Sequence, residues 1–252
     1  MNKTSQEFLF AEKSDVGKVR KINEDSFGNL KTKNGHYFFV CDGMGGHEYG
    51  EVASSMAVEL IKKNITKYEN VISEINKLLE LVLDSANKEI NDYSVRNSKI
   101  KGMGTTCVLV YITRNKAYYA NVGDSRLYLI SNNIVSQLTK DQSFVQELVN
   151  QNLITQDEAE NHPRKNEILQ ALGLTAKIVP DISPAPVELS NGDFLLLCSD
   201  GLSNFVNESL MLSLIKPGEP GYSCNELISA ANNAGGRDNI TVQLIEFNGL
   251  VI

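Results

Sequence analysis

Tryptophan is absent from this 252-residue chain, histidine occurs three times and cysteine four times. Each shortage removes a class of chemistry. His36, His47 and His162 are not paired at zinc-ligand spacing, and Cys41, Cys107, Cys198 and Cys224 contain no C-x-x-C pair, so soft-ligand zinc chemistry is disfavoured. Cys41, Cys107 and Cys198 lie in β-like apolar runs, where a free cysteine behaves as a small hydrophobe. No apolar stretch approaches the ~20 residues of a membrane span, and the opening MNKTSQEF lacks the apolar region of a signal peptide. A cytoplasmic protein with no membrane partner is expected. The net charge of −7 comes with lysines and arginines scattered along helical segments, so no basic face exists for nucleic acid. Neither G-x-x-x-x-G-K-[ST] nor G-x-G-x-x-G is present, which argues against a nucleotide cradle.

Carboxylates are plentiful, and four of them share a setting. Asp42 in YFFVCDGMGG, Asp124 in YYANVGDSR, Asp200 in FLLLCSDGL and Asp238 in GGRDNITVQLI each stand at the lip of an apolar or strand-like stretch, three of them beside a glycine. A strand delivers a side chain to its end with little slack, and glycine lets the backbone turn or approach a ligand. Carboxylates gathered at one point repel and resist ionisation, and a divalent cation relieves this. With oxygen ligands abundant, Mg²⁺ or Mn²⁺ is the expected ion.

Periodicity predicts strands near 8–11, 26–31 and 37–41, then helices over about 49–68 and 69–93, the second with Ile72, Ile75, Leu79, Val82, Leu83, Ala86 and Ile90 as its buried stripe. Strands return at 105–113, 116–122 and 126–131. A polar, helix-prone insert at about 141–168 follows, with a capping-box match at Thr155-Gln-Asp-Glu158 and a stop at His162-Pro163. It reads as a surface flap. A buried strand at 193–199, a helix at 207–215 opened by Asn207, a helix preceded by a second capping-box match at Ser223–Glu226, and a strand at 241–247 complete the chain. Strands in consecutive runs with segregated helices imply an α+β fold with antiparallel sheets. One domain spanning 1–252 is expected.

Beyond the four aspartates, the run Asp15-Val-Gly-Lys-Val-Arg20-Lys-Ile-Asn23-Glu24-Asp25 matches D-x-G-x-V-R-x-x-N-E-D. With V-C-D-G-M-G-G-H, G-M-G-T-T, N-V-G-D-S-R, H-P-R-x-N, A-L-G, C-S-D-G-L and G-G-x-D-N-I-T-V in order, the chain resembles the metal-dependent protein phosphatases of type 2C, in particular their compact bacterial branch, from about Ser14 to Phe247. The resemblance implies a four-layer αββα sandwich of two antiparallel sheets flanked by helices. It implies hydrolysis of phosphoserine and phosphothreonine on proteins, reversing a Ser/Thr kinase, by a metal-bridging hydroxide in a binuclear Mn²⁺ or Mg²⁺ centre, in a monomer. By the same resemblance Asp42 bridges the two ions, the Gly43 carbonyl binds one, and Asp200 and Asp238 hold the second. Glu24 and Asp25 orient waters, Arg20 grips the phosphate with its planar fork, and Asp124 with Asp200 makes a third, weaker metal site.

The chemistry is coherent without the resemblance. Two cations ~3.5–4 Å apart acidify a water and offset charge on the phosphoryl oxygens, and phosphoester hydrolysis demands mainly positioning and charge stabilisation. Departures from the wider family are Met44, where animal members carry a histidine, with His47 as a substitute donor beside water, and Gln142 and Gln170 near the flap. Two other functions compete: a catalytically silent phosphoprotein-binding module, which should have lost metal carboxylates, and a metal-dependent nuclease or phosphodiesterase, disfavoured by the acidic surface.

Overall fold

Alternation within the most apolar strand sets the layers. In the computed structural model, which describes residues 8–45, 49–97 and 102–249, strand β3 (His36–Met44) is buried almost throughout. Successive strand side chains face opposite ways. Tyr37, Phe39 and Cys41 pack into one apolar cluster with helices α1 (Gly50–Tyr68) and α2 (Ile75–Arg96), while Phe38 and Val40 pack into another with Leu195, Leu197 and Ile245 of the second sheet. One strand therefore serves two interfaces, which requires a layer on each side.

The first sheet contains β2 (Asp25–Lys31), β3, β4 (Gly104–Thr105), β5 (Cys107–Thr113), β6 (Lys116–Val122), β9 (Asp181–Ile182) and β10 (Val187–Glu188), with main order β10-β6-β5-β3-β2. The second has the order β1-β12-β11-β7-β8, from β1 (Phe8–Asp15), β7 (Arg126–Ser131), β8 (Ile134–Gln137), β11 (Phe194–Cys198) and β12 (Ile240–Phe247). All pairings are antiparallel. Helix α7 (Pro220–Asn233), with α5 (Asp200–Ser203) and α6 (Glu208–Leu214), covers the outer face of the second sheet. The four-layer αββα arrangement is the one expected.

Topology gathers the carboxylates. Because β2 and β3 are antiparallel, with Asp25 opposite Asp42, the start of β2 meets the end of β3. Strand β6 runs with β3, each being antiparallel to β5, so Asp124 leaves at the same end. In the second sheet Cys198 pairs with Val242, which brings Asp200, just past β11, to Asp238, just before β12.

Several boundaries differ from the sequence reading. Helix α2 starts at Ile75, because 69–74 is spent on the reversal that lays it beside α1; the amides of Val71 and Ile72 both donate to the Tyr68 carbonyl. Strand β8 and the one-turn α5 were not anticipated. Ser223 is not a cap: α7 begins at Pro220, whose fixed φ and missing N–H suit the first turn, and the Ser223 hydroxyl bonds the Glu219 carbonyl inside the helix. The Asn207 cap and the Thr155–Glu158 capping box are present.

The 141–168 segment carries α3 (Phe144–Asn150) and α4 (Gln156–Glu160). Its neck is closed by main-chain bonds from Phe144 to Glu167 and from Leu169 to Gln142, both 2.8 Å. Arg164 stacks over Phe144 at 3.5 Å and pairs with Glu167 at 2.7 Å. The two glutamine departures converge on one residue. Gln142 donates to the Val179 carbonyl at 2.9 Å, and Gln170 accepts from the Val179 amide at 2.7 Å.

Candidate metal centre

Asp42 is fixed through its backbone. Its N–H donates to the Thr106 hydroxyl at 2.9 Å, and its carbonyl accepts from the Thr105 hydroxyl at 2.9 Å and the Thr106 amide at 2.8 Å. Thr105 and Thr106 are fully buried. With the backbone held, the Asp42 side chain is aimed by its strand and not by a mobile loop. Gly43 follows where a Cβ would collide with the Gly50 and Glu24 carbonyls, so this approach of strand to helix α1 needs glycine.

Asp25, 8 % exposed, accepts from the Ser199 hydroxyl at 2.7 Å through Oδ2, while Oδ1 is buried without a hydrogen bond. Burial, then the fields of Asp200 and Asp238, push its carboxyl up to about 7, against the hydrogen bonds from Thr241 and Ser199. Asp200 opens α5 and accepts from Asn204 at 3.0 Å. Burial and Asp238 push it up to about 6, while a hydrogen bond with Asp42 opposes the rise. Asp42 is also raised well above the ordinary carboxylate range, by burial and then by Asp25, Asp200, Asp124 and Asp238. Asp124 is raised by burial and Asp200, and its Oδ1 is a second buried carboxylate oxygen without a partner. Arg126 does not pair with it. Arg126 bonds Asp141 instead, at 2.7 and 2.9 Å, because the first residue of β7 reaches across the start of the flap.

Asp238 accepts from Arg20 at 2.8 Å, and Glu24 receives the Gly50 amide at 3.2 Å. Burial raises the Glu24 carboxyl. All of Arg20, Glu24, Asp25, Asp42, Gly43, Asp124, Asp200 and Asp238 thus stand at one end of the sandwich. Among the described residues, however, no three acidic, histidine or cysteine side chains form a closed cage as they stand. One contact bears on this: Asp238 is turned to Arg20 at 2.8 Å. The donor set nevertheless fits a hard divalent cation, since five carboxylates feel one another and two carry unsatisfied buried oxygens.

Sequence reasoning placed Thr105 and Thr106 near the site but missed two other supports, Asn239 and Ser199. Asn239, buried, donates to the carbonyls of Val16 and Ile22 at 2.9 and 3.0 Å and accepts from the Glu24 amide at 2.8 Å. It thereby ties the Arg20 loop to the Asp238 loop. Ser199 bridges Asp25 and the Thr241 amide. A signal existed in Asp-Asn and Ser-Asp beside strands, but polar residues at strand ends are common in turns. His47 lies outside the described residues. The four cysteines are buried free thiols.

Beside Asp124 and Asp200 opens a cavity of about 1020 Å³ between the flap and the α5–α6 segment. No helix among the described residues is long and apolar enough to cross a membrane.

Comparison with known proteins agrees with the geometry. Residues 18–226 match the family model described as Protein phosphatase 2C. The serine/threonine phosphatase stp of Listeria monocytogenes is 42 % identical over 238 residues, covering 93 % of this chain and 94 % of that protein. The crystal structure of the Mycobacterium tuberculosis serine/threonine phosphatase PstP/Ppp superposes with a TM-score of 0.85 at 33 % identity, covering 96 % and 99 % of the two chains. A PstP catalytic domain in complex with two manganese ions superposes with a TM-score of 0.80 at 32 % identity, covering 95 % of this chain and 97 % of that one. The chain belongs to the protein phosphatase 2C family.

Proposed function

We propose that the protein hydrolyses phosphoserine and phosphothreonine on proteins, as a divalent-metal-dependent monomer opposing a Ser/Thr kinase in the cytoplasm. The observation that carries this reading is the convergence of Asp25, Asp124, Asp200 and Asp238 on Asp42, each raising its proton affinity. Asp42, the Gly43 carbonyl, Asp200 and Asp238 would hold two Mn²⁺ or Mg²⁺ ions, and Asp124 with Asp200 a third. When bound, such ions supply acidified water and positive charge at the phosphoryl oxygens.

The protein's own residues do the rest. Arg20 is about half exposed and reaches over Asp238, so its fork can transfer from that carboxylate to a substrate phosphate at small cost, since exposed ion pairs contribute only ~0–1 kcal/mol. That transfer also frees Asp238 to act as a ligand. Glu24 and Asp25 orient waters from the floor of the site. With Met44 at the histidine position, solvent is the proton source for the leaving alkoxide. The 141–168 segment acts as a flap on one domain, alongside the large cavity.

Purified protein should cleave an aryl phosphate, and phosphoserine and phosphothreonine peptides ahead of phosphotyrosine peptides, only with added Mn²⁺ or Mg²⁺. Asp42→Asn and Asp238→Asn should each lower kcat by at least the ~10²–10³-fold typical of losing one electrostatic contact to the transition state. Equal cleavage in excess chelator, or peptide binding without turnover at saturating Mn²⁺, would refute the reading.

A further inference from the structure

Three cations border the carboxylate cluster and have no place in the chemistry above. Lys18 and Lys21 flank Arg20 on one loop, and Arg237 precedes Asp238 on the next. All three are exposed, and among the described residues none forms an ion pair. Of the neighbouring acids, Asp238 is paired with Arg20 at 2.8 Å, and Asp15 has Oδ1 engaged by the Gly17 amide at 2.8 Å and by Asn232 at 3.2 Å. On these two loops Asp15, Glu24 and Asp238 are half-buried and Asp25 is buried, so in a chain of net charge −7 the exposed charges of this edge are its cations.

The edge is also fixed in place. The Lys18 and Val19 amides both donate to the Gly236 carbonyl, at 2.7 and 3.2 Å, and Arg20 joins Asp238 across the same seam. Gly17 and Gly236 both have positive φ, and a Cβ on either would strike the facing loop. Hence Lys18, Lys21 and Arg237 project from two loops locked together, at the positions that the D-x-G-x-V-R-x-x-N-E-D and G-G-x-D-N motifs leave open. Hydrolysis itself does not require a cation there. The cavity beside Asp124 and Asp200, lined by Glu160 and Glu208 as well as Lys140 and Lys165, mixes both signs, so the consistent charge selection available to the site resides in this edge.

We propose that Lys18, Lys21 and Arg237 form an anion subsite beside the phosphate position, which takes aspartate and glutamate side chains flanking the phosphoresidue and makes acidic phosphosegments the preferred substrates. This rests on the phosphatase reading and adds the substrate class to it. Screening limits exposed charges to roughly 8 Å at physiological salt, and an extended peptide advances ~3.3 Å per residue. The subsite therefore reads only the two or three residues next to the phosphoresidue. Exposed pairs are individually weak, so the three together give a preference of about tenfold at low salt.

The test compares kcat/KM on phosphoserine peptides with glutamate, alanine or lysine at the two positions on either side, in Mn²⁺, at low and at physiological salt. Wild-type protein should prefer the glutamate over the lysine series by about tenfold at low salt, and by less as salt rises. A Lys18→Ser/Lys21→Ser/Arg237→Ser variant with an unchanged melting profile should bring the ratio to within about twofold. Lys33→Ser, in the exposed turn after β2, should leave the ratio alone. Equal rates on all three series, or a preference that survives the triple variant, would overturn the subsite while metal-dependent aryl phosphate hydrolysis by the wild type still upheld the phosphatase. Loss of that hydrolysis would instead overturn both.

Discussion

At the scale of single residues, burial decides how each ionisable group behaves. The metal-site aspartates are packed where charge is costly, and this readies them for a cation. His36, at the opposite end of β3, shows the complementary case. It stacks on Phe38 at 4.3 Å, touches Phe8 and Phe10, and hydrogen-bonds Asn29 at 2.9 Å. Burial, and then Lys31, lower its pKa to about 4, against an unfolded value near 6.5. Between those values the unfolded chain binds a proton that the native state refuses. The His36 contribution is therefore fully present above about pH 6.5 and is lost as pH falls through about 4. Replacing it by Asn29-compatible Gln should flatten this part of the acid limb in urea melts between pH 7 and 4; an unaltered limb would show that His36 is not buried neutral. The sequence revealed this histidine only as one too isolated to be a ligand, because Phe8 and Phe10 reach it from a strand of the other sheet.

Elements matter here through their ends. Strand β3 carries Asp42, and the short β4–β5 junction holds that residue's peptide groups with two threonine hydroxyls. Thr106 also meets Ser125 at 2.7 Å, next to Asp124, so one buried hydroxyl touches the supports of two candidate ligands. Thr106→Val keeps the shape but leaves the Asp42 N–H without its acceptor. It should cost about 1–3 kcal/mol in denaturant unfolding and raise the Mn²⁺ concentration needed for half-maximal activity, with Thr106→Ser restoring both. Normal metal dependence in a destabilised valine variant would reduce Thr106 to a packing residue. Most strands and the two long helices were legible as periodicity: 116–122 and 126–131 match the structure residue for residue. Strand β8 was not, since Ile134–Gln137 has one buried residue and gains its identity from pairing with β7. Ser223 misled for a related reason, because a four-residue capping pattern is weaker than a proline three residues earlier.

For the molecule as a whole, the acidic cluster links folding to metal and to pH. Asp25 and Asp200 have native carboxyls raised to about 7 and about 6, against values near 4 when unfolded. Without metal, the native state holds protons in this window that the unfolded chain releases. Their contribution is present in full below about pH 4 and is lost as pH rises through about 6 and 7. A cation binding only the native state competes with those protons and stabilises by mass action. The rise in Tm on adding Mn²⁺ should accordingly be larger at pH 7.5 than at pH 5.5, and Asp42→Asn should blunt it. A rise independent of pH would separate metal binding from these carboxylates.

The sequence by itself determined the chemistry on offer: aspartates at strand lips, an arginine at fixed spacing from Asp25, glycines where strand and helix must touch, and too few soft ligands for any metal but a hard one. These are local properties, carried by residue type and short spacing. Tertiary structure alone decided that Arg20 lies on Asp238, that Arg126 belongs to Asp141, that Asn239 binds two loops, and that three cations without an ion pair among the described residues share one edge. Each of these joins residues 15 to more than 200 positions apart, and the antiparallel pairing of β1 with β12, with Asp15 opposite Ile240, brings most of them within reach.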